Sequence, residues 1–207
     1  MQTKFIRYLI FLFITLTIVS AVELRVRPSQ WAQPIIGSSL DNLYKVSPGI
    51  YRSEQPNSKD FNDVVNLGIG EILSLREYHS DEDEAKAHKV ILHRIKIDTS
   101  EIDENQIEEA LRVIINRKSN ILVHCWHGSD RTGAVIAAYR VVVEGWSKEE
   151  AIDELQNGDF GYHGTVYPNI VKLIEGLDVK NLRIALLLNK QSIKPTRRKV
   201  YKNDTKR

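Results

Sequence analysis

Ile121-Leu122-Val123-His124-Cys125-Trp126-His127-Gly128-Ser129-Asp130-Arg131-Thr132-Gly133 holds the only cysteine of the 207-residue chain and sets an arginine six residues after it. Residues 121–123 are apolar and read as a buried strand, whereas residues 132–143 read as an apolar helix rich in Ala and Val. Cys125 therefore stands on a strand-to-helix turn. Between Cys125 and Arg131 the backbone must curl tightly, and Gly128 tolerates the dihedral angles such a curl needs. A turn of this kind aims successive N–H groups at one point, and the helix after it adds unpaired donors and the positive end of its dipole. A phosphate group fits those donors.

The same field favours the thiolate of Cys125 and makes it the expected nucleophile. Arg131 is expected to lay its planar fork across the loop, binding two phosphate oxygens and stabilising transition-state charge. Thr132 is placed to hydrogen-bond the sulfur, which makes sulfur a better leaving group. Trp126, His127, Gly128, Ser129, Asp130 and Thr132 make up the expected substrate-binding loop, and His124 is expected to hydrogen-bond the scaffold and tune the cysteine. The competing reading, an ordinary buried strand-end cysteine, accounts for none of Gly128, the Arg-Thr-Gly ending or the flanking elements.

Residues 124–133 resemble the signature loop of the cysteine-dependent protein tyrosine phosphatases, and of their dual-specificity branch in particular. Tyr51-Arg52-Ser53-Glu54-Gln55-Pro56, Leu73-Ser74-Leu75-Arg76, and Phe160-Gly161-Tyr162-His163 followed by Pro168-Asn169-Ile170 extend the similarity to bacterial dual-specificity phosphatases, including periplasmic ones, over about residues 44–178. The resemblance implies hydrolysis of phosphate monoesters through a phosphocysteine, without a cofactor. It also implies a phosphorylated protein as substrate, phosphotyrosine preferred. Alternating strands and helices independently indicate an α/β fold, with a central, mostly parallel, twisted sheet flanked by helices and Cys125 at a strand's carboxyl end.

Ester cleavage also needs an acid for the leaving oxygen. Asp98 follows the expected strand 91–97 and should emerge at the same sheet edge as Cys125; the resembling family carries its acid in this loop. Asp103 is the runner-up, with a competing role as helix N-cap because Gln106 follows three residues later. Asp130 departs from the small or neutral residue found here in many family members. A similar Gly-x-Asp-Arg-Thr string occurs in the myotubularin lipid phosphatases, whose acid has been placed in the loop. The preferred reading of Asp130 points it away from the phosphate and onto neighbouring backbone, because a carboxylate facing a dianion repels it. Tyr162 and His163 are expected either beneath the loop or in the core.

Two other functions compete. A phosphoinositide or inositol-phosphate phosphatase calls for extra cations around the loop, where positions 126, 127, 129 and 130 are Trp, His, Ser and Asp. A catalytically inactive phosphate-binding module would lack one of Cys125, Arg131 and Asp98, all of which are present. The six histidines have no His-Glu-x-x-His spacing, so no metal is expected. A single cysteine excludes an internal disulfide and a resolving thiol.

The length suits one domain with terminal extensions: a signal segment over 1–21, an arm over 22–43, the phosphatase domain over 44–178 and a C-terminal extension over 179–207. Lys4 and Arg7, an apolar run over 8–19 and Ser20-Ala21 match a secretory signal cleaved after Ala21, and an uncleaved membrane anchor is the alternative. Both place the domain outside the cytoplasm, periplasmic or secreted. Residues 190–207 carry a net +7 and the signal segment +2, which leaves −7 for residues 22–189 of a chain whose total is +2. The acidic core is no nucleic-acid surface, while the basic tail, expected as a solvated end, is suited to a membrane surface or an acidic partner. Further elements expected are a hairpin over 43–52, a helix ending near Leu67, a strand over 72–75, a surface helix over 80–89, a helix over 103–116 and a helix opened by Ser147-Lys148-Glu149-Glu150.

Overall fold

The computed structural model describes residues 26–187, so the candidate signal segment and the basic tail lie outside the described residues. The chain divides into two units, Met1–Gln30 and Trp31–Arg207, and the second carries the fold. Its strands are β1 (Gln33–Pro34), β2 (Tyr44–Ser47), β3 (Ile50–Ser53), β4 (Ile69–Ser74), β5 (Ile91–Arg94) and β6 (Asn120–His124). The helices are α1 (Asp60–Asn66), α2 (Glu104–Asn116), α3 (Asp130–Val142), α4 (Lys148–Asn157), α5 (Pro168–Gly176) and α6 (Val179–Ala185). The sheet order is β1-β2-β3-β6-β4-β5. β3, β6, β4 and β5 run parallel, and the hairpin β2–β3 with β1 adds an antiparallel margin. This is the α/β architecture expected.

The period of two along each strand divides the core between the two faces. Ile50, Leu73, Ile121 and Val123 face the larger cluster, with buried residues of α2 to α6; Tyr51, Ile72 and Leu122 face the smaller one, with Phe61 and Val64 of α1. In α3 every residue but Arg131 is buried, so the helix after Cys125 runs through the larger core. Gly133 allows this: a methyl group there would stand 2.5 Å from Leu155 Cδ1 of α4. Within the same layer Arg140 is buried yet compensated, donating to both carboxylate oxygens of Glu154 at 2.7 and 2.8 Å.

Three segments differ from expectation. Residues 80–89 form turns in place of a surface helix; they lack an apolar helical stripe, and Asp81 and Ala85 are instead drawn into the interior. The strand expected over 91–97 ends at Arg94, although Ile95 and Ile97 stay buried. Residues 31–43, expected as an irregular arm, bury Trp31, Ala32, Leu40 and Leu43 and supply β1. At the other end α6 buries Leu182, and Leu186 just after it is buried too. Among the described residues no helix is long and apolar enough to cross a membrane.

Candidate active site

β6 is flanked on both sides by parallel strands, so its carboxyl end opens at the centre of the sheet edge, and the chain there curls through residues 125–129 into α3. The carbonyls of this loop are taken by the scaffold around it. His124 O accepts from the Leu75 amide at 2.9 Å, Trp126 O from the Gln55 amide at 3.0 Å, His127 O from Asn42 Nδ2 at 2.7 Å and Gly128 O from Arg52 Nη2 at 2.6 Å. The N–H groups of residues 126–131 donate to no protein acceptor among the described residues. Carbonyls bonded outward leave amides for the inside, and α3 adds its dipole there.

Gly128 makes the curl possible. Its φ is +71°, and a methyl group would stand 2.2 Å from the Ser53 carbonyl oxygen, which no side chain can meet. Arg52 holds the other side of that contact, packed with its guanidinium 3.7 Å from the centre of the Phe160 ring. Burial pushes the Arg52 pKa down to about 10 against the opposing pull of Glu154 and Cys125, so it stays charged at neutral pH.

Cys125 is 3% exposed, at the floor of the loop. Arg131 donates to Ile97 O at 3.3 Å, and its Nε is buried without a partner. That bond carries its charge towards Asp98, the residue after Ile97. Asp98 is exposed; the Ser100 hydroxyl at 2.6 Å and the Ser100 amide at 2.8 Å both donate to its Oδ1. These bonds, helped by Arg131, hold the carboxyl below the usual range. Thr132 was expected to bond the sulfur, but its buried hydroxyl completes no hydrogen bond. Such an orphan costs about 1–3 kcal/mol.

The other two aspartates have tasks elsewhere. Asp103 caps α2, accepting from the Gln106 amide at 2.8 Å while Gln106 Oε1 accepts from the Asp103 amide at 3.2 Å. Asp130 takes the His163 amide on one oxygen and His163 Nδ1 on the other, both at 2.9 Å. His163 thus ties the loop to the segment before α5, and Tyr162 donates to Tyr167 O at 2.7 Å.

His124 is fully buried between two acceptors: Nδ1 lies 3.0 Å from Cys125 O and Nε2 lies 2.9 Å from Asp81 Oδ2. Each ring nitrogen therefore faces one oxygen. Burial would raise the Asp81 carboxyl, but the hydrogen bond and charge of His124 outweigh it and hold Asp81 below the usual range. Asp81, Arg52 and Arg76 were assigned no task from sequence; Arg52 and Arg76 fall within the segments that carry the resemblance, whereas Asp81 falls in the charged stretch 80–89 and had no signal of its own. Arg76 lies at the mouth, its guanidinium 5.0 Å from the centre of the exposed Trp126 ring, and donates to Gln55. Trp126 stacks on His127, with ring centres 5.2 Å apart, beside a groove of about 320 Å³ that Arg76, Glu54 and Glu84 also line. A buried thiol at the start of a loop with free amides, with the Arg131 guanidinium at the end of the same loop and Arg76 at the rim, suits a phosphate ester with an aromatic rest.

Comparison with known proteins agrees with this geometry. Residues 39–166 match the model described as the Tyrosine phosphatase family. The chain is 32% identical over 164 residues to the dual specificity protein phosphatase TpbA of Pseudomonas aeruginosa, covering 77% of this chain and 72% of that one. It is 31% identical over 125 residues to the inositol diphosphatase DSP2 of Oryza sativa subsp. japonica, covering 56% and 61%. The crystal structure of P. aeruginosa TpbA superposes with a TM-score of 0.71 at 31% identity, covering 78% of this chain and 99% of that one. A TpbA structure in complex with pTyr gives 0.71 at 30% identity, covering 79% and 100%.

Proposed function

The chain belongs to the tyrosine phosphatase family, and on that premise we propose that it hydrolyses phosphoprotein monoesters, phosphotyrosine foremost, through a phosphocysteine. The observation that carries this reading is the loop in which the carbonyls of Trp126, His127 and Gly128 bond outward to the scaffold while the amides of residues 126–131 stay free. The Cys125 sulfur attacks phosphorus, and the bond to the leaving oxygen breaks as Asp98 passes it a proton. Arg131 and the loop amides stabilise the equatorial oxygens. Water then attacks the phosphocysteine, its proton returns to Asp98, and inorganic phosphate and the thiolate separate. Without substrate Asp98 is held as a carboxylate by Ser100. A phosphate dianion arriving at the loop favours its protonated form, as the first step requires. The complex of TpbA with pTyr supports the choice of substrate.

A second reading, hydrolysis of an inositol diphosphate, draws on the relatives of that name and on Arg76. The additional cation missing from the loop itself is supplied by the chain just after β4.

Phosphate release from phosphotyrosine, phosphoserine and inositol diphosphate by the full chain separates the readings, with Cys125→Ser and Asp98→Ala beside it. Expected is phosphotyrosine turnover abolished in the first variant and lowered about 10²–10⁴-fold in the second. Turnover by Cys125→Ser at the wild-type rate would end the phosphocysteine mechanism, and preference for inositol diphosphate would select the second reading. Export by the N-terminal segment, with the basic tail reaching an anionic membrane or acidic partner, belongs to the same proposal. N-terminal sequencing of the exported protein tests it: a start at Val22 means a soluble enzyme, and Met1 an anchored one.

A further inference from the structure

The turns after β4 bring together three metal-ligating side chains, of which the phosphatase chemistry uses only one oxygen of Asp81. His79, Asp81 and Glu84 each offer a ligand atom, and these lie within 4.8 Å of one another. His79 Nε2 is 3.3 Å from Glu84 Oε1. His79 Nε2, Asp81 Oδ1 and Glu84 Oε2 are all buried with no hydrogen-bond partner. Asp81 decides the matter. It is 3% exposed, and with Oδ2 taken by His124 its second oxygen is left to the cluster. Ser74 stands near enough to favour the ionised carboxylate, yet neither its hydroxyl nor Asp81 Oδ1 completes a hydrogen bond. These three atoms, one imidazole nitrogen at ion-pair distance from Glu84 and two carboxylate oxygens, complete no hydrogen bond, and a cation is the one group that all three can ligate.

We propose that His79, Asp81 and Glu84 form a site for a divalent cation of the zinc class, with solvent completing the shell. The imidazole favours zinc-like ions over magnesium or calcium. Ligands at about 2.0–2.2 Å from the ion require the side chains to close by roughly 1 Å, within rotamer adjustment. His79 and Glu84 retain 34% and 21% exposure of their side chains, which gives the ion an entry path and a water ligand. Bound there, the ion fixes the turn whose Asp81 carries His124 on its other oxygen, so the site braces the imidazole behind Cys125.

The test is titration of the full chain with Zn²⁺ in a Cys125→Ser background, where no thiolate competes for the metal. Expected is one Zn²⁺ per chain, with affinity reduced about tenfold or more by adding His79→Ala or Glu84→Gln. No binding, or an affinity the same in both added variants, overturns the proposal. A second measurement needs no added variant. Zn²⁺ should slow modification of His79 by diethyl pyrocarbonate, read by peptide mass spectrometry, and a His79 rate indifferent to Zn²⁺ also overturns it.

Discussion

The two edges of the sheet treat buried polar groups in opposite ways. At the amino edge, Glu71 of β4 accepts from the Lys118 amide, from the Ser119 amide at 2.9 Å and pairs with His93 Nε2 at 2.9 Å. Arg117 beside it donates to Ile114 O at 2.9 Å and to Pro48 O at 3.2 Å. At the carboxyl edge lie Arg131 Nε, Thr132 Oγ1, Arg52 Nε and Ser74 Oγ, with the His79, Asp81 and Glu84 atoms, all buried and unpartnered. Buried polar atoms are ordinarily satisfied. An edge that satisfies them contributes stability, and an edge that withholds partners keeps them for a ligand, at a cost in stability.

The contrast breaks if substitutions at the two edges have the same effect. Gly128→Ala should have the largest one, a fall in kcat/KM of about 10²-fold or more, because the methyl group collides with Ser53 backbone and displaces the amides. Phosphotyrosine kinetics measure it, and near-wild-type turnover would remove the close approach from the mechanism. Glu71→Ala should do the reverse, leaving turnover within about twofold at this distance. It strands two amides for a loss of about 2–3 kcal/mol, a fall in Tm of about 4–12 °C. The hydrogen bonds that oppose the burial of Glu71 hold its pKa below the usual value of 4.5. Its contribution is therefore full above the unfolded-state value and lost as pH falls through the lower, folded one. The gap between the thermal melts of wild type and variant should narrow in acid, and a gap of constant size would contradict this account.

Thr132→Val probes stability and turnover together, since one substitution should move the two properties in opposite directions. Removing an orphaned hydroxyl should stabilise the fold by about 1 kcal/mol, whereas kcat should fall about tenfold if that hydroxyl assists the departing sulfur. A variant losing both stability and turnover would mean the hydroxyl has a partner in solution. The smallest effect is expected from Ser100→Ala. The Ser100 hydroxyl favours ionised Asp98, so its loss raises the Asp98 pKa towards the ordinary value. The acid then stays protonated to higher pH, and the basic limb of the kcat/KM profile should move upward. A limb that does not move, or moves down, would dissociate Asp98 from that limb.

Much of the site was legible. The cap at Asp103 followed from Gln106 three residues on, and the box at Ser147 from Glu150, because a helix start is closed by its own first turn. The surface helix expected over 80–89 illustrates the opposite case. Its charges suggested solvent, yet Asp81 is held inside by a histidine 43 residues away, and no local pattern encodes that pairing. Residues 31–43 likewise read as an arm, because the burial of Trp31 and Leu40 depends on surfaces assembled from the rest of the chain.

The strand, the turn and the helix around Cys125, and the placing of Arg131 six residues on, can be read directly along the chain. These relations are local, since covalent geometry and hydrophobic period suffice to set them. What holds that turn in shape, and which acidic groups remain available, depends on contacts made across the fold. Gly128 is clasped by Arg52 across 76 positions, Asp130 is engaged by His163 across 33, and His124 is backed by Asp81 across 43. Each pairing joins elements that meet only when parallel strands assemble, and the hydrogen bonds they complete have no signature in the spacing of residues along the chain.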